Sequence, residues 1–165
     1  MYADRKELYR QLEAERESKV ICYVTGDRPN QEAQISADVF DLFVNHLDAI
    51  GDVQKISLFL YTRGGDALTA WSLVNLVRQF CKELELIIPS KCHSAGTIMS
   101  LGANKIIMTK QATLGPIDPS VNTALNPKSL INGQEVQLPV SVEEIKGYIA
   151  VAKEEFGITD SSALG

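Results

Sequence analysis

Leu58 to Leu68 reads LFLYTRGGDAL: an apolar run, a Gly64-Gly65 pair, then an acid that opens a helical pattern. Two glycines at the end of a buried strand let the backbone turn sharply and leave amides exposed. Asp66 is placed to begin a helix that Leu68, Trp71, Leu73, Val74, Leu76 and Val77 carry to about Phe80. By itself this is an ordinary glycine turn. Its meaning comes from what lies on either side.

Upstream, Lys55 to Thr62 (KISLFLYT) and Lys19 to Thr25 (KVICYVT) read as strands, being apolar and rich in β-branched residues. Gly26 to Gln34 is a polar loop. Ser36 can cap a helix to about Ile50, with Val39, Phe40, Phe43, Val44 and Leu47 on one face and Gly51 at its end. Downstream, Glu83 to Pro89 (ELELIIP) is a third strand, Ser94 to Gly102 a short helix of small residues, and Lys105 to Thr109 (KIIMT) a fourth strand. Strand–helix repetition with near-continuous apolar strands predicts an α/β domain: parallel strands covered on both faces by helices.

The flanks are looser. Gln111 to Pro127, with Gly115, Pro116, Pro119 and Pro127, reads as a long irregular loop. Leu130 to Val140, with Asn132-Gly133 in its middle, reads as a small hairpin. Ser141-Val-Glu-Glu144 is a capping box that starts a helix to about Phe156. Ala3 to Ser18 is a polar helix with few apolar positions, suited to a solvated arm or to packing on a partner subunit. The expectation is one domain over 1–165: the polar helix to 18, the β-α core over 19–127, and the hairpin and last helix over 128–165. The chain stops at Ser161 to Gly165 just after a helical stretch, as a short protein or a trimmed one would.

Composition narrows the function. With 45% hydrophobic and 22% charged residues over 165 positions, the chain supports one sizeable core. A net charge of -5 argues against nucleic acid as a partner, because phosphate binding needs a basic face. No run approaches the roughly 20 apolar residues of a membrane span, and Met1 to Glu17 has no apolar leader core. The expected location is therefore cytoplasmic, with membrane association of a longer parent chain left open. Cys22, Cys81 and Cys92, odd in number and without C-x-x-C spacing, predict neither a disulfide framework nor a zinc site; all three are expected in the core, with Cys92, two residues from Ser94, also placed to line a site.

The chemistry centres on Lys91-Cys92-His93-Ser94-Ala95-Gly96-Thr97. Ser94 stands where the third strand gives way to a helix, near that helix's positive end, with the Ala95 amide next in the chain. Alone, Ser94 is equally a helix cap. But it follows Gly65 by 29 residues, the length of one strand–helix–strand unit, so both fall at one edge of the sheet. A Gly65 amide and an Ala95 amide at that edge make a two-donor oxyanion hole.

This order of residues resembles the Clp-protease/crotonase superfamily, and most of all the signal peptide peptidase A and serine dehydrogenase proteinase group. The resemblance runs through Thr62-Arg63-Gly64-Gly65, Ser94-Ala95-Gly96, Ala103-Asn104-Lys105-Ile106-Ile107-Met108 and Gly115-Pro116-Ile117-Asp118-Pro119. It departs from the pattern at Arg63, where the family usually has Pro, and at Thr97, near a usual aromatic. The loop after the fourth strand carries no His, so the Clp-type histidine triad is excluded.

The resemblance implies a serine peptidase acting on polypeptides, homo-oligomeric, with no metal or cofactor. Ser94 is the implied nucleophile, Gly65 and Ala95 the oxyanion hole, and Gly64, Gly115 and Pro116 the cleft lining. Peptidase A relatives take their base from a Lys roughly fifty residues after the Ser; Lys146 follows Ser94 by 52 and sits in the first turns of the capped helix. A helix N-terminus and burial would both lower its pKa, while Glu143 and Glu144 would oppose this. Lys128, Lys110 and Lys91 are fallbacks, and Asp118 is a further candidate whose other role is turn geometry before Pro119. His46 lies mid-helix and His93 adjoins Ser94, neither well placed as a base. Two rival readings stand beside this one. A crotonase-type acyl-CoA enzyme would use the same hole with Asp66 and Asp118 as acids. A catalytically silent oligomeric module would keep only the fold.

Overall fold

A computed structural model of the chain describes residues 2–118, 120–121, 126–131, 134–138 and 140–158. Pro119, the Asn132-Gly133 pair and the end of the chain at 159–165 lie outside the described residues. The chain divides into two compact units, Met1–Ile117 and Asp118–Gly165. That places a boundary at 117/118, where the sequence suggested an internal one at 127/128.

In the first unit, strands buried on both faces through their middles form the centre of the sheet. β1 (Lys19–Val24), β2 (Val53–Tyr61), β3 (Cys81–Ile88) and β5 (Lys105–Met108) pair in parallel, in that order. Ile21, Leu58, Leu86 and Ile106 share one register row. The first three are buried in the main core with Ile56, Leu60, Leu84 and Ile88. The connecting helices are α2 (Phe40–Ile50, after a 3-10 turn at Ala37–Val39), α3 (Ala67–Gln79) and α4 (Ala95–Leu101). Between β3 and β5 a short β4 (Lys91–Cys92) pairs in parallel with β6 (Thr113–Leu114).

One expectation is corrected here. Strand order follows chain order, and right-handed crossovers then place every connecting helix on one face. α2 packs on α3 and α3 on α4, as that topology requires. The period of two also corrects the cysteines: Ile21 points into the core and its neighbour Cys22 points out, exposed, while Cys81 is half-buried and only Cys92 is fully buried. On α3 the same periodic logic leaves Leu68 and Trp71 exposed and buries Ala70, Leu73, Val74 and Val77.

The face away from those helices carries a buried acid. Glu85 is fully buried, one residue out of phase with Leu84 and Leu86. Its carboxylate accepts two hydrogen bonds from Arg16, from Nε at 2.8 Å and Nη2 at 2.5 Å. Ser57 Oγ donates at 3.0 Å and Lys55 Nζ lies 3.4 Å away. Arg16 ends α1 (Tyr2–Arg16), so the polar first helix is pinned to the sheet at its last residue while residues 4–11 stay exposed.

Burial pushes the Glu85 carboxyl up, but the Arg16 bonds, the Ser57 hydroxyl and the Lys55 and Arg16 charges outweigh it and hold the pKa at about 2, against an ordinary 4.5. A depressed folded-state pKa adds stability that is complete above pH 4.5 and is lost as pH falls from there to about 2. The shift corresponds to about 3 kcal/mol. Urea unfolding should therefore weaken steeply over that window. Glu85→Gln should lose about 3–5 kcal/mol at pH 6, because Arg16 and Lys55 are left facing a neutral group, and should lack that part of the acid slope. An unchanged slope would show that the carboxylate is not held as described.

In the second unit β8 (Lys128–Ile131) and β9 (Gln134–Gln137) form the antiparallel hairpin expected around positions 132–133. β7 (Ser120–Val121) pairs with β10 (Val140–Ser141). α5 (Val142–Glu154) starts at the expected capping box: Ser141 Oγ accepts from Glu144 N at 3.1 Å, and Glu144 answers by accepting from Ser141 N at 3.3 Å. Among the described residues no helix is long and apolar enough to cross a membrane.

Candidate active site

Ser94 is the first residue of interest because its backbone is out of place. It has φ 50° and ψ -115°, a conformation that L side chains avoid. A serine capping a helix needs only extended backbone and a side-chain bond to the first turn. Ser94 has neither: its side chain makes no capping hydrogen bond. Strain of this kind persists only where the surroundings enforce it, and it clusters at functional sites.

The enforcing contacts are visible. Thr62, at the end of β2, donates its N–H to Lys91 O at 3.0 Å and accepts from His93 N at 3.1 Å. That pair of bonds lashes the segment before Ser94 to the glycine turn. Gly96 lets α4 sit close: a Cβ there would lie 2.5 Å from Thr62 Cγ2 and 2.9 Å from Cys92 Sγ. Cys92 is thus buried beneath the serine loop, with its thiol raised by burial, and it does not line the site.

The glycine turn backs directly onto the serine. A Cβ on Gly64 would stand 2.8 Å from Ser94 Cβ and 3.3 Å from its Oγ. Gly64 has φ 119° and Gly65 φ 146°, both in the region that favours glycine. The turn is held on its other side by Ile35, whose N donates to Gly64 O at 2.9 Å and whose O accepts from Asp66 N at 2.8 Å.

Amide accounting across the two turns is informative. Gly64 N donates to Thr62 Oγ1 at 3.0 Å and Asp66 N to Ile35. Gly96 N donates to His93 O and Thr97 N to Ser94 O. The amides of Gly65 and Ala95 have no acceptor among the described residues. Those are the two donors the sequence assigned to an oxyanion.

The loop over 113–117 closes one side. Gly115 packs on the His93 ring, where a Cβ would lie 2.8 Å from His93 Cβ, and its N donates to Cys92 O at 3.3 Å. Thr97, at one of the departures from the family pattern, has its hydroxyl 2.8 Å from Gly115 O and 3.1 Å from Cys92 O, binding this loop to α4. Pro116 is exposed in the same loop. His93 Nε2 is engaged with Thr113 Oγ1 at 2.8 Å, so its ring is directed to the loop; His46 is exposed on α2.

The lysines are all accounted for differently. Lys91 Nζ is paired with Asp27 Oδ2 at 2.7 Å. Lys128 is paired with Glu135 in the second unit, and Lys110 is exposed. Lys146, also in the second unit, is exposed and donates to Glu143 Oε1 at 2.7 Å. That bond, the Glu143 charge and the more distant Asp118 charge raise its pKa. The expected lowering by the helix N-terminus is overridden, because a carboxylate one turn away stabilises the ammonium.

The acids weighed for enolate chemistry are likewise engaged. Asp66 Oδ1 caps α3, accepting from Thr69 N and Thr69 Oγ1, both at 2.6 Å. Asp118 Oδ2 accepts from Ser141 Oγ, fixing the entry to α5, while its buried Oδ1 has no partner among the described residues.

Sequence reasoning assigned no role in the site to the side chains of Thr25, Ile35 and Thr62. Thr25 Oγ1 donates to Thr62 Oγ1 at 2.9 Å, so the ends of β1 and β2 and the glycine turn share one buried hydroxyl pair. Ile35 left a signal: it is a lone apolar residue closing a polar loop, and it is almost completely buried.

Three comparisons bear on this arrangement. Residues 1–144 match a family model described as ClpP-like SDH-type serine proteinase. Two uncharacterized proteins of Methanocaldococcus jannaschii are 37% identical over 68 residues and 35% identical over 66. Those matches take in 41% and 40% of this chain but only 24% and 23% of the relatives' own lengths. Among solved structures, a mutant of the membrane-bound stomatin-specific protease 1510-N in complex with a substrate peptide has a TM-score of 0.51 and 22% identity. That likeness covers 81% of this chain and 56% of the other, and at such identity it speaks to the fold alone.

Proposed function

We propose that this chain, which belongs to the ClpP-like SDH-type serine proteinase family, hydrolyses peptide bonds with Ser94 as its nucleophile. Its α/β architecture, built on a parallel sheet, is the ClpP-like fold expected from the sequence. The observation that carries the proposal is the strained Ser94 backbone, held against the Gly64-Gly65 turn with no capping bond to explain it.

Ser94 Oγ attacks the scissile carbonyl. The carbonyl oxygen becomes an oxyanion, which the Gly65 and Ala95 amides receive; their lack of any other acceptor among the described residues supports that role. Lys146 takes the hydroxyl proton and returns it to the leaving amine, and water then cleaves the acyl-enzyme. What supports Lys146 is its place in the first turns of α5, 52 residues after Ser94, as the resemblance implies for a base. For it to accept a proton, Glu143 must release it and the amine must lose water. The loop over 113–117 lines the cleft, the substrate is an extended polypeptide, and the working form is a homo-oligomer.

A fluorophosphonate probe tests the reading. It should label the parent chain at Ser94, located by peptide mapping, and labelling should slow by at least about 100-fold in Lys146→Ala, the scale of a lost general base. Absence of label at Ser94 would sink the nucleophile; undiminished labelling in Lys146→Ala would move the base elsewhere.

A further inference from the structure

The carboxyl ends of β1 and β2 hold a feature that bond cleavage at Ser94 leaves unused. A cavity of about 240 Å³ opens there, with Thr25, Asp27, Arg28, Gln31 and Tyr61 in its lining. That is below the roughly 300 Å³ of a small-molecule pocket and suits a single side chain. Its wall is tied to the nucleophile. Thr25 is hydrogen-bonded to Thr62, Thr62 Oγ1 accepts from Gly64 N, and Gly64 backs onto Ser94.

The charges around the cavity are unequal in their commitments. Asp27 Oδ2 accepts from Lys91 Nζ at 2.7 Å and Tyr61 OH at 2.6 Å. The Lys91 bond first, then the Tyr61 bond, hold the Asp27 carboxyl below its ordinary range, and the nearby Arg63 charge adds to them. Asp66 is committed to capping α3. Glu32 is exposed on the loop beyond Gln31. Arg28 and Arg63 are both exposed, and neither has a hydrogen-bonding or ion-pair partner for its side chain among the described residues. Arg63 immediately precedes Gly64, at the position where the resembling proteins usually carry Pro. A residue that would stiffen the turn is replaced by one that presents a guanidinium beside it.

We propose that this cavity is a substrate subsite that takes a carboxylate, from an Asp or Glu side chain or from a free C-terminus, on the guanidinium group of Arg28 in its lining, with Arg63, which precedes Gly64 outside that lining, as a second cation. Guanidinium suits the task, since its planar fork binds carboxylate in two parallel hydrogen bonds. Lys91, held by Asp27, leaves that task to the two arginines. The inference rests on the peptidase reading for the ligand being a peptide.

The test reads binding without turnover. Neutral decapeptides carrying one Glu, Gln or Lys, walked through every position and made with free and amidated C-termini, are titrated by calorimetry onto the full chain bearing Ser94→Ala. At one or two positions Glu should bind at least about tenfold more tightly than Gln, and Lys more weakly than both, the scale of a charge-assisted pair. Adding Arg63→Gln and Arg28→Gln should bring the Glu-to-Gln ratio to within about threefold. Preference that follows the free C-terminus instead of the Glu position assigns the carboxylate to the peptide end. Equal binding of the three series, a preference for Lys, or a Glu preference that survives both substitutions overturns the subsite. Fluorophosphonate labelling of the parent chain reports separately on the peptidase. Labelled Ser94 without charge preference removes the subsite alone; unlabelled Ser94 with the preference intact removes the peptidase and keeps the carboxylate site.

Discussion

Ser94→Gly should give a protein that is inactive and more stable than its parent. The activity loss should be at least about 10³-fold, as for removal of a catalytic serine. The stability gain follows from the backbone. A non-glycine residue at φ 50°, ψ -115° stores about 1–3 kcal/mol, which glycine releases. Glycine's extra freedom in the unfolded chain returns about 0.5–1 kcal/mol of that. No capping bond is lost, because the Ser94 side chain makes none. The net is about 1 kcal/mol, or about 2–4 °C in melting temperature for a chain of this size.

Ser94→Ala is the matched control. It keeps the strain, so stability should stay within about 0.5 kcal/mol while activity falls as far. If Ser94 were a structural cap, both substitutions would lose stability, about 1 kcal/mol for alanine. If the chain were a silent module of the fold, neither would change hydrolysis. Calorimetric melting together with a peptide assay on three proteins therefore separates the readings. Retained activity in Ser94→Ala ends the nucleophile proposal.

Much of this arrangement was legible in the sequence because it rests on local rules. Glycines at a strand end, a serine at a strand–helix junction and a spacing of one βαβ unit predict that the two turns meet. The Ser141 capping box was legible for the same reason, since its partners lie three residues apart. What escaped depends on contacts distant in the chain. Ile35 reaches Gly64 and Asp66 across some thirty residues. The Thr25–Thr62 hydroxyl pair spans 37 residues. Glu85 lies within the ELELIIP strand with no local sign of its partners, Arg16 and Lys55, which come from elsewhere in the chain. The placement of the connecting helices on one face was hidden too: strand order is a property of pairing, which apolar runs alone do not specify. Lys146 is the opposite case, with both influences on it legible from close neighbours in the chain. Its helix position favours a lowered pKa and Glu143 and Glu144 oppose it; Glu143 sets the direction, which is upward.

The two glycines of the turn look alike in sequence, yet their alanine substitutions should fail in different ways. At Gly65 a Cβ would lie 2.3 Å from Ile35 O and 2.4 Å from Ile35 N. Those are backbone atoms, held by the bonds that fix Ile35 against Gly64 and Asp66, so no side-chain rotation relieves the clash. With φ 146° also unfavourable for alanine, Gly65→Ala should lose about 3 kcal/mol or more, read as a lower urea midpoint and a fall of roughly 6–12 °C in melting temperature. At Gly64, where φ 119° is also unfavourable for alanine, the nearest atom is Ser94 Cβ at 2.8 Å, then the His93 backbone oxygen at 3.1 Å and Ser94 Oγ at 3.3 Å, all looser than the contacts at Gly65. The added methyl displaces the serine, itself already strained, so part of the clash is relieved by movement. Gly64→Ala should accordingly melt closer to the parent than Gly65→Ala does, while hydrolysis and fluorophosphonate labelling fall at least about 100-fold, the scale of a misplacement near 1 Å in the reacting geometry. The ratio of damage decides the matter. If Gly64→Ala labels at the parent rate, the turn does not back onto the nucleophile, and the pairing of Gly64-Gly65 with Ser94 loses its chemical meaning. If it fails to label while remaining folded, the contact serves catalysis and not stability.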